Sequence, residues 1–133
     1  MSFTHDHLKI DGKKVSIINF HGLWNGNGKT DTADRIVQSQ KIHSFMKKLK
    51  QPFLIAGDFN LEPDTESIKI IESVCPRNLV REFGVTSTRS SFYPKPGRLA
   101  DYIFLSEDLK LEHFEVLPDE ASDHLALRAK IDH

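Results

Sequence analysis

At 133 residues, with 38% hydrophobic and 28% charged side chains, the chain is long enough for one domain with a buried core and too apolar for a disordered segment. Its 18 basic against 19 acidic side chains give a formal net charge of −1, which argues against a protein that grips long nucleic acid nonspecifically. Cys75 is the sole cysteine, which excludes an intrachain disulfide and a cysteine metal cluster; with no leader-like start and no apolar run of spanning length, a single domain over residues 1–133 in the cytoplasm is expected.

Leu8 to Ile10 and Val15 to Phe20 are β-rich runs around Asp11-Gly12, a turn pair that accepts positive φ, and they predict a hairpin. A polar, glycine-bearing loop, Gly22 to Thr30, follows. A helix is expected from about Asp31, with acidic residues at its start and Lys47, Lys48 and Lys50 at its end. Ile42, Phe45, Met46 and Leu49 define one apolar face, whereas Ala33, Ile36 and Val37 point elsewhere, so the helix is either covered on two faces or bent near Gln38 to Gln40. Pro52 stops it. Phe53 to Ala56 reads as a short buried strand, Asp64 as the N-cap of a second helix ending before Cys75-Pro76, and Thr86 to Arg98 as a polar surface loop. Tyr102 to Leu105, His113 to Val116 and Leu125 to Ile131 complete the set as strands, giving an α/β or α+β layer fold.

Residues able to ligate a cation or move a proton gather at the predicted strand ends: His21, Asp58 and Asn60, Asp101, and Ser122-Asp123-His124. Carboxylates, an amide and imidazoles suit a hard divalent cation with a proton-handling group beside it. Singly, each has an ordinary structural reading as a turn former, a cap or a partly buried histidine.

In combination, Asn19-Phe-His21, Gly57-Asp-Phe-Asn60, Leu99-Ala-Asp-Tyr-Ile-Phe104 and Ser122-Asp-His124 resemble the C-terminal motif set of the endonuclease/exonuclease/phosphatase, or DNase I-like, superfamily of phosphoesterases. Phe20-His-Gly-Leu-Trp24, Gly28-Lys-Thr-Asp-Thr32 and Thr88-Arg-Ser-Ser91 are similar to a longer pattern in its bacterial members. The resemblance implies half of a DNase I-like β-sandwich, a mixed sheet with flanking helices, and hydrolysis of a phosphodiester or phosphomonoester with Mg²⁺ or Mn²⁺. It also implies roles. Asp123 would be a metal ligand, and His124, oriented by Asp101, would contact phosphate or exchange a proton. Asp58 would position the attacking water with Asn60 behind it, and His21 would contact phosphate. The family's N-terminal Asn and metal-binding Glu motifs have no counterpart here. The alternative expectation is therefore an incomplete half-domain that acts by homodimerisation or by pairing with a separate N-terminal half.

Arg89, Tyr93, Lys95 and Arg98 could form a substrate clamp, with Trp24 or Phe92 stacking on a base; a solvated loop is the plainer reading. The phosphate-binding pattern G-x₄-G-K-[ST] fails because its first glycine position holds Leu23. The near-neutral charge favours a small or single-stranded substrate, possible nucleic acid included.

Overall fold

The hairpin that Asp11-Gly12 predicts is present and longer than expected. In the computed structural model, which describes residues 2–50 and 52–132, β1 (Ser2–Ile10) and β2 (Lys13–His21) pair antiparallel along their whole length. Asp11 and Gly12 both take positive φ, 51° and 79°. The first half of β1 escapes a hydrophobicity reading because its side chains are exposed on both faces, so no apolar alternation marks it.

Helix α1 (Ala33–Lys47) carries the chain from β2 to β3 (Phe53–Asp58), which lies parallel to β2. It begins two residues later than expected. Thr32 is its N-cap and accepts from the Arg35 amide. Nor is it covered on two faces: Arg35, Gln38, Ser39, Ile42 and Met46 form one buried stripe, and Val37 is exposed. The first half of that stripe is polar because it holds a loop rather than the core. Arg35 donates to the carbonyls of Leu23 and Thr30, and Gln38 accepts from the Leu23 amide.

After β3 come α2 (Glu66–Glu72), β4 (Arg77–Asn78), α3 (Leu79–Glu82), β5 (Asp101–Leu105), β6 (Lys110–Val116) and β7 (Leu127–Asp132). Thr65, not Asp64, caps α2, and Asp64 instead approaches Arg81 at 3.7 Å. Asp31, expected at the start of α1, reaches across the chain and accepts from the amides of Glu66 and Ser67 and from the Ser67 hydroxyl. These bonds hold the Asp31 carboxyl below the usual range even though burial opposes them.

The strands form a mixed five-stranded sheet in the order β1-β2-β3-β5-β4, and β6 and β7 make a separate antiparallel pair. Side chains alternate between the two faces of the large sheet. Ile18, Phe20, Ile55, Tyr102 and Phe104 pack with Ile42 and Met46 of α1 and Ile68 and Ile71 of α2. On the other face Val15, Ile103 and Leu105 pack with Leu109 and Phe114 under the β6–β7 pair. The architecture is a mixed sheet with helices on one face and a small second sheet on the other, as expected. Among the described residues no helix is long and apolar enough to cross a membrane.

Candidate active site

Three strands deliver side chains to one rim. His21, the last residue of β2, is in register with Asp58, the last of β3, and Asp58 is in register with Asp101, the first of β5. Period-two alternation places all three on the face that carries Val15, Ala56 and Ile103, the face turned toward the smaller sheet. Like charges directly opposite on neighbouring strands repel. The Asp58–Asp101 pair therefore calls for positive charge beside it.

The Gly57-Asp-Phe-Asn60 string is built for this corner. Gly57 has φ +143°, and a Cβ there would stand 1.9 Å from the Phe20 carbonyl oxygen. Phe59 is fully buried against Phe20, Tyr102 and Phe104. Asn60 turns the chain with φ +54°, its amide N–H donating to Asp58 Oδ1 at 2.9 Å and its Nδ2 to the Gly22 carbonyl at 3.2 Å. The backbone of Asn60 thus orients Asp58, while its side chain ties the loop after β2 to the rim.

His124 completes the cluster. Its Nδ1 lies 3.0 Å from both oxygens of Asp101, and its Nε2 is 3.7 Å from Asp58 Oδ2. Arg89 Nη1 faces the same Nε2 at 2.7 Å and also reaches Asp123 Oδ2 at 3.2 Å. A guanidinium can only donate, so these partners fit a ring that carries its hydrogen on Nδ1, toward Asp101, and accepts at Nε2. Burial raises the Asp101 carboxyl above its ordinary value, opposed by the bonds from His124 and Thr88.

One ligand atom each from Asp58, Asp101 and His124 lies within 4.8 Å of the others, a group that could hold a metal ion. Asp123, expected as a ligand, is half-exposed and paired with Arg89 outside that group. His21 is exposed at the rim. A cavity of about 230 Å³ opens beneath, lined by Asp58, Asp101, Leu125 and Leu127 among others.

The expected surface loop is partly interior: Thr88, Arg89 and Ser90 are buried. Thr88 Oγ1 donates to Asp101 Oδ2 at 2.8 Å and accepts from the Ala100 and Asp101 amides. An isolated bridge pairs Arg89 with His124, and the Ser90 amide donates to the Asp123 carbonyl. Thr88 is a functional candidate that sequence reasoning missed; its signal was the Thr88-Arg-Ser-Ser91 string, whose residues hold both Asp101 and the Ser122-Asp-His124 turn. Arg98 spends its donors on the carbonyls of Arg89, Ser90 and Tyr93 and the Ser87 hydroxyl, and so fixes this loop. Tyr93 lies 4.2 Å from the Arg89 guanidinium. Trp24, Phe92 and Lys95 are exposed and outside the cluster.

The sequence profile of the Endonuclease/Exonuclease/phosphatase family matches residues 4–124. The chain belongs to that family. No curated protein matches it. An endonuclease/exonuclease/phosphatase family protein from Bacteroides thetaiotaomicron has a similar structure, with a TM-score of 0.74 and 22% identity over 97% of this chain and 54% of its own. A mannosyl-6-phosphatase of Bacteroides thetaiotaomicron VPI-5482 gives 0.72 and 20%, covering 98% and 57%. D. rerio TDP2, complexed with single strand DNA product, gives 0.72 and 16%, covering 98% and 61%. Likeness at these identities is likeness of fold, and the chain spans little more than half the length of these proteins. The four strings that build the rim all lie within the matched residues.

Proposed function

We propose that the chain hydrolyses a phosphate ester with the help of a divalent cation, Mg²⁺ or Mn²⁺. The observation that carries this reading is the convergence of Asp58, Asp101 and His124 from strands and a turn far apart in sequence. The donor set fits a hard cation, since two carboxylates face each other in register and lack a lysine or arginine between them among the described residues. Asp58 of that group would hold the ion, joined by Asp123 only once it leaves Arg89; when bound, the ion neutralises phosphate charge and the charge that develops in the transition state.

The protein's own groups do the rest. Asp58, its Oδ1 fixed by the Asn60 amide, positions the attacking water. Asp101 holds the Nδ1–H of His124 and so turns Nε2 outward to exchange a proton with a reacting oxygen. Arg89 moves from Nε2 to the phosphate, and His21 donates to a second phosphate oxygen. The similar structures of a mannosyl-6-phosphatase and of TDP2 complexed with single strand DNA product support the ester class and leave nuclease and phosphatase chemistry both open. A cytoplasmic setting fits the buried free thiol of Cys75.

The test is hydrolysis of bis(4-nitrophenyl) phosphate with Mg²⁺, with Mn²⁺ and with EDTA, repeated on Asp58→Ala and His124→Ala. Turnover that needs the metal and falls with both variants supports the reading. Turnover indifferent to EDTA and to both substitutions refutes it.

A second reading has its own observation. Strand β1 is exposed, and Thr4, Asp6 and Leu8 continue the rim face beyond β2, with Leu8 51% exposed. A homodimer or a separate N-terminal half pairing there would complete the sandwich. Gel filtration at the size of a monomer, with full activity, would remove the need for either.

A further inference from the structure

Next to the rim lies a second cavity of about 370 Å³, a volume within the roughly 300–1,000 Å³ typical of small-molecule sites. One side chain links the two. Arg89 contacts His124 at 2.7 Å on one side and stacks 4.2 Å from the Tyr93 ring on the other, and Tyr93 forms a wall of the cavity.

Its polar equipment is specific. Lys29 is buried and held by the Tyr93 hydroxyl at 3.1 Å and by the Gly97 carbonyl, which leaves its ammonium short of a third acceptor. Glu62 lines the same cavity, and its Oε1 is buried without a hydrogen-bond partner among the described residues. A Cβ on Gly97 would stand 2.8 Å from that oxygen and 3.6 Å from Lys29 Nζ, so both atoms flank one small region of the wall. Burial raises the Glu62 carboxyl, with Lys29 opposing. An ammonium with a donor to spare and a carboxylate oxygen without a donor are bridged by a group that both donates and accepts, which is what a hydroxyl does.

The aromatic groups narrow the ligand further. The Tyr93 ring already has Lys29 at 4.5 Å, Arg89 at 4.2 Å and Arg98 at 5.8 Å around it, so a base stacking on it would compete with these cations. Trp24, 52% exposed at the mouth, offers one apolar face, enough to cover the C–H side of a saturated ring.

We propose that this cavity receives the alcohol portion of the ester and selects a neutral polyhydroxyl ring, a hexose or a cyclitol, with Glu62 and Lys29 as its specificity-determining residues. The leaving-group role rests on the phosphoesterase reading above; the binding itself does not. Trp24 is the only tryptophan of the chain, so its fluorescence reports the cavity directly.

The experiment titrates the full chain with methyl mannoside, methyl glucoside, myo-inositol, adenosine and guanosine, and follows Trp24 emission. A saturable change with at least one polyol at millimolar concentration is expected, weakened about tenfold or more in Glu62→Gln, the loss of one charge-assisted hydrogen bond. Lys29→Met should weaken it similarly; should that variant not fold by circular dichroism, Glu62→Gln decides alone. The hexosides against inositol distinguish the two sources of polyol. No saturable change with any polyol, a change with nucleosides only, or equal binding by Glu62→Gln overturns the proposal. Bis(4-nitrophenyl) phosphate turnover measured alongside separates the two claims. Turnover without polyol binding sinks the cavity assignment alone, and polyol binding without any ester turnover sinks the leaving-group role together with the phosphoesterase reading.

Discussion

Asp101 and His124, 23 positions apart, meet with Nδ1 of the imidazole 3.0 Å from each carboxylate oxygen. Everything around the pair serves to keep it there: Thr88 fixes the carboxylate, the Arg89–His124 bridge fixes the turn, and Arg98 fixes the loop that carries both Thr88 and Arg89.

Asp101→Asn tests the orientation directly. An amide nitrogen facing Nδ1 would donate to it and move the ring hydrogen to Nε2. Ester hydrolysis should fall about 10²–10⁴-fold, while urea unfolding should stay within about 1 kcal/mol of the parent. Equal rates for both proteins would show that the tautomer does not matter.

Thr88→Val removes a hydroxyl that donates once and accepts from two amides while keeping the side chain's shape. Because the site is buried, unfolding free energy should drop by about 1–3 kcal/mol. Hydrolysis should fall as well, through the loosened Asp101. A variant as stable as the parent would mean water replaces the hydroxyl.

How much of this could be read from the sequence depended on whether a residue's partner was local. Phe53 to Ala56 and Tyr102 to Leu105 declared themselves by apolar continuity, and the rim residues by standing at the ends of such runs. Arg35 and Gln38 did not, because their partners are backbone groups of the loop after β2, and a polar stripe on a helix reads as solvent-facing when those partners are unseen. Thr88 was legible only as part of the Thr88-Arg-Ser-Ser91 string, and its role was hidden because its partner Asp101 lies 13 positions away. The start of β1 carries no alternation, since its side chains stay exposed even where Phe3 and His5 lean on Phe45 of α1. Asp31 reads as the acidic start of the first helix, yet its carboxylate serves the first turn of a helix 35 residues further on.

Arg35→Leu tests the polar stripe of α1. It would strand the Leu23 and Thr30 carbonyls that Arg35 satisfies from a fully buried position. We expect a loss of roughly 2–3 kcal/mol, with faster amide hydrogen exchange confined to residues 22–30. Exchange spread evenly over the molecule would contradict a local role for Arg35.

The pH dependence of stability has a definite sign at Glu62. Its carboxyl is raised in the folded chain by burial, so the folded state binds the proton more tightly than the unfolded state does. Stability from this group is complete below the unfolded value near 4.5 and is lost as pH rises through the higher folded value. Glu62→Gln lacks that loss. The variant should gain on the parent as pH rises from 4 toward neutrality, by urea midpoints at about 1-unit steps; a gain that grows on acidification would reverse the assignment.

The proposed cation site at the strand-end rim can be tested without any substrate, by paramagnetic relaxation with Mn²⁺. In a histidine-selective NMR spectrum, substoichiometric Mn²⁺ should broaden His124 and His21 first, leave His113 sharp, and lose that selectivity in Asp58→Ala. Broadening that is uniform across the histidines, that begins at His5 and His7, or that persists unchanged in Asp58→Ala would contradict it.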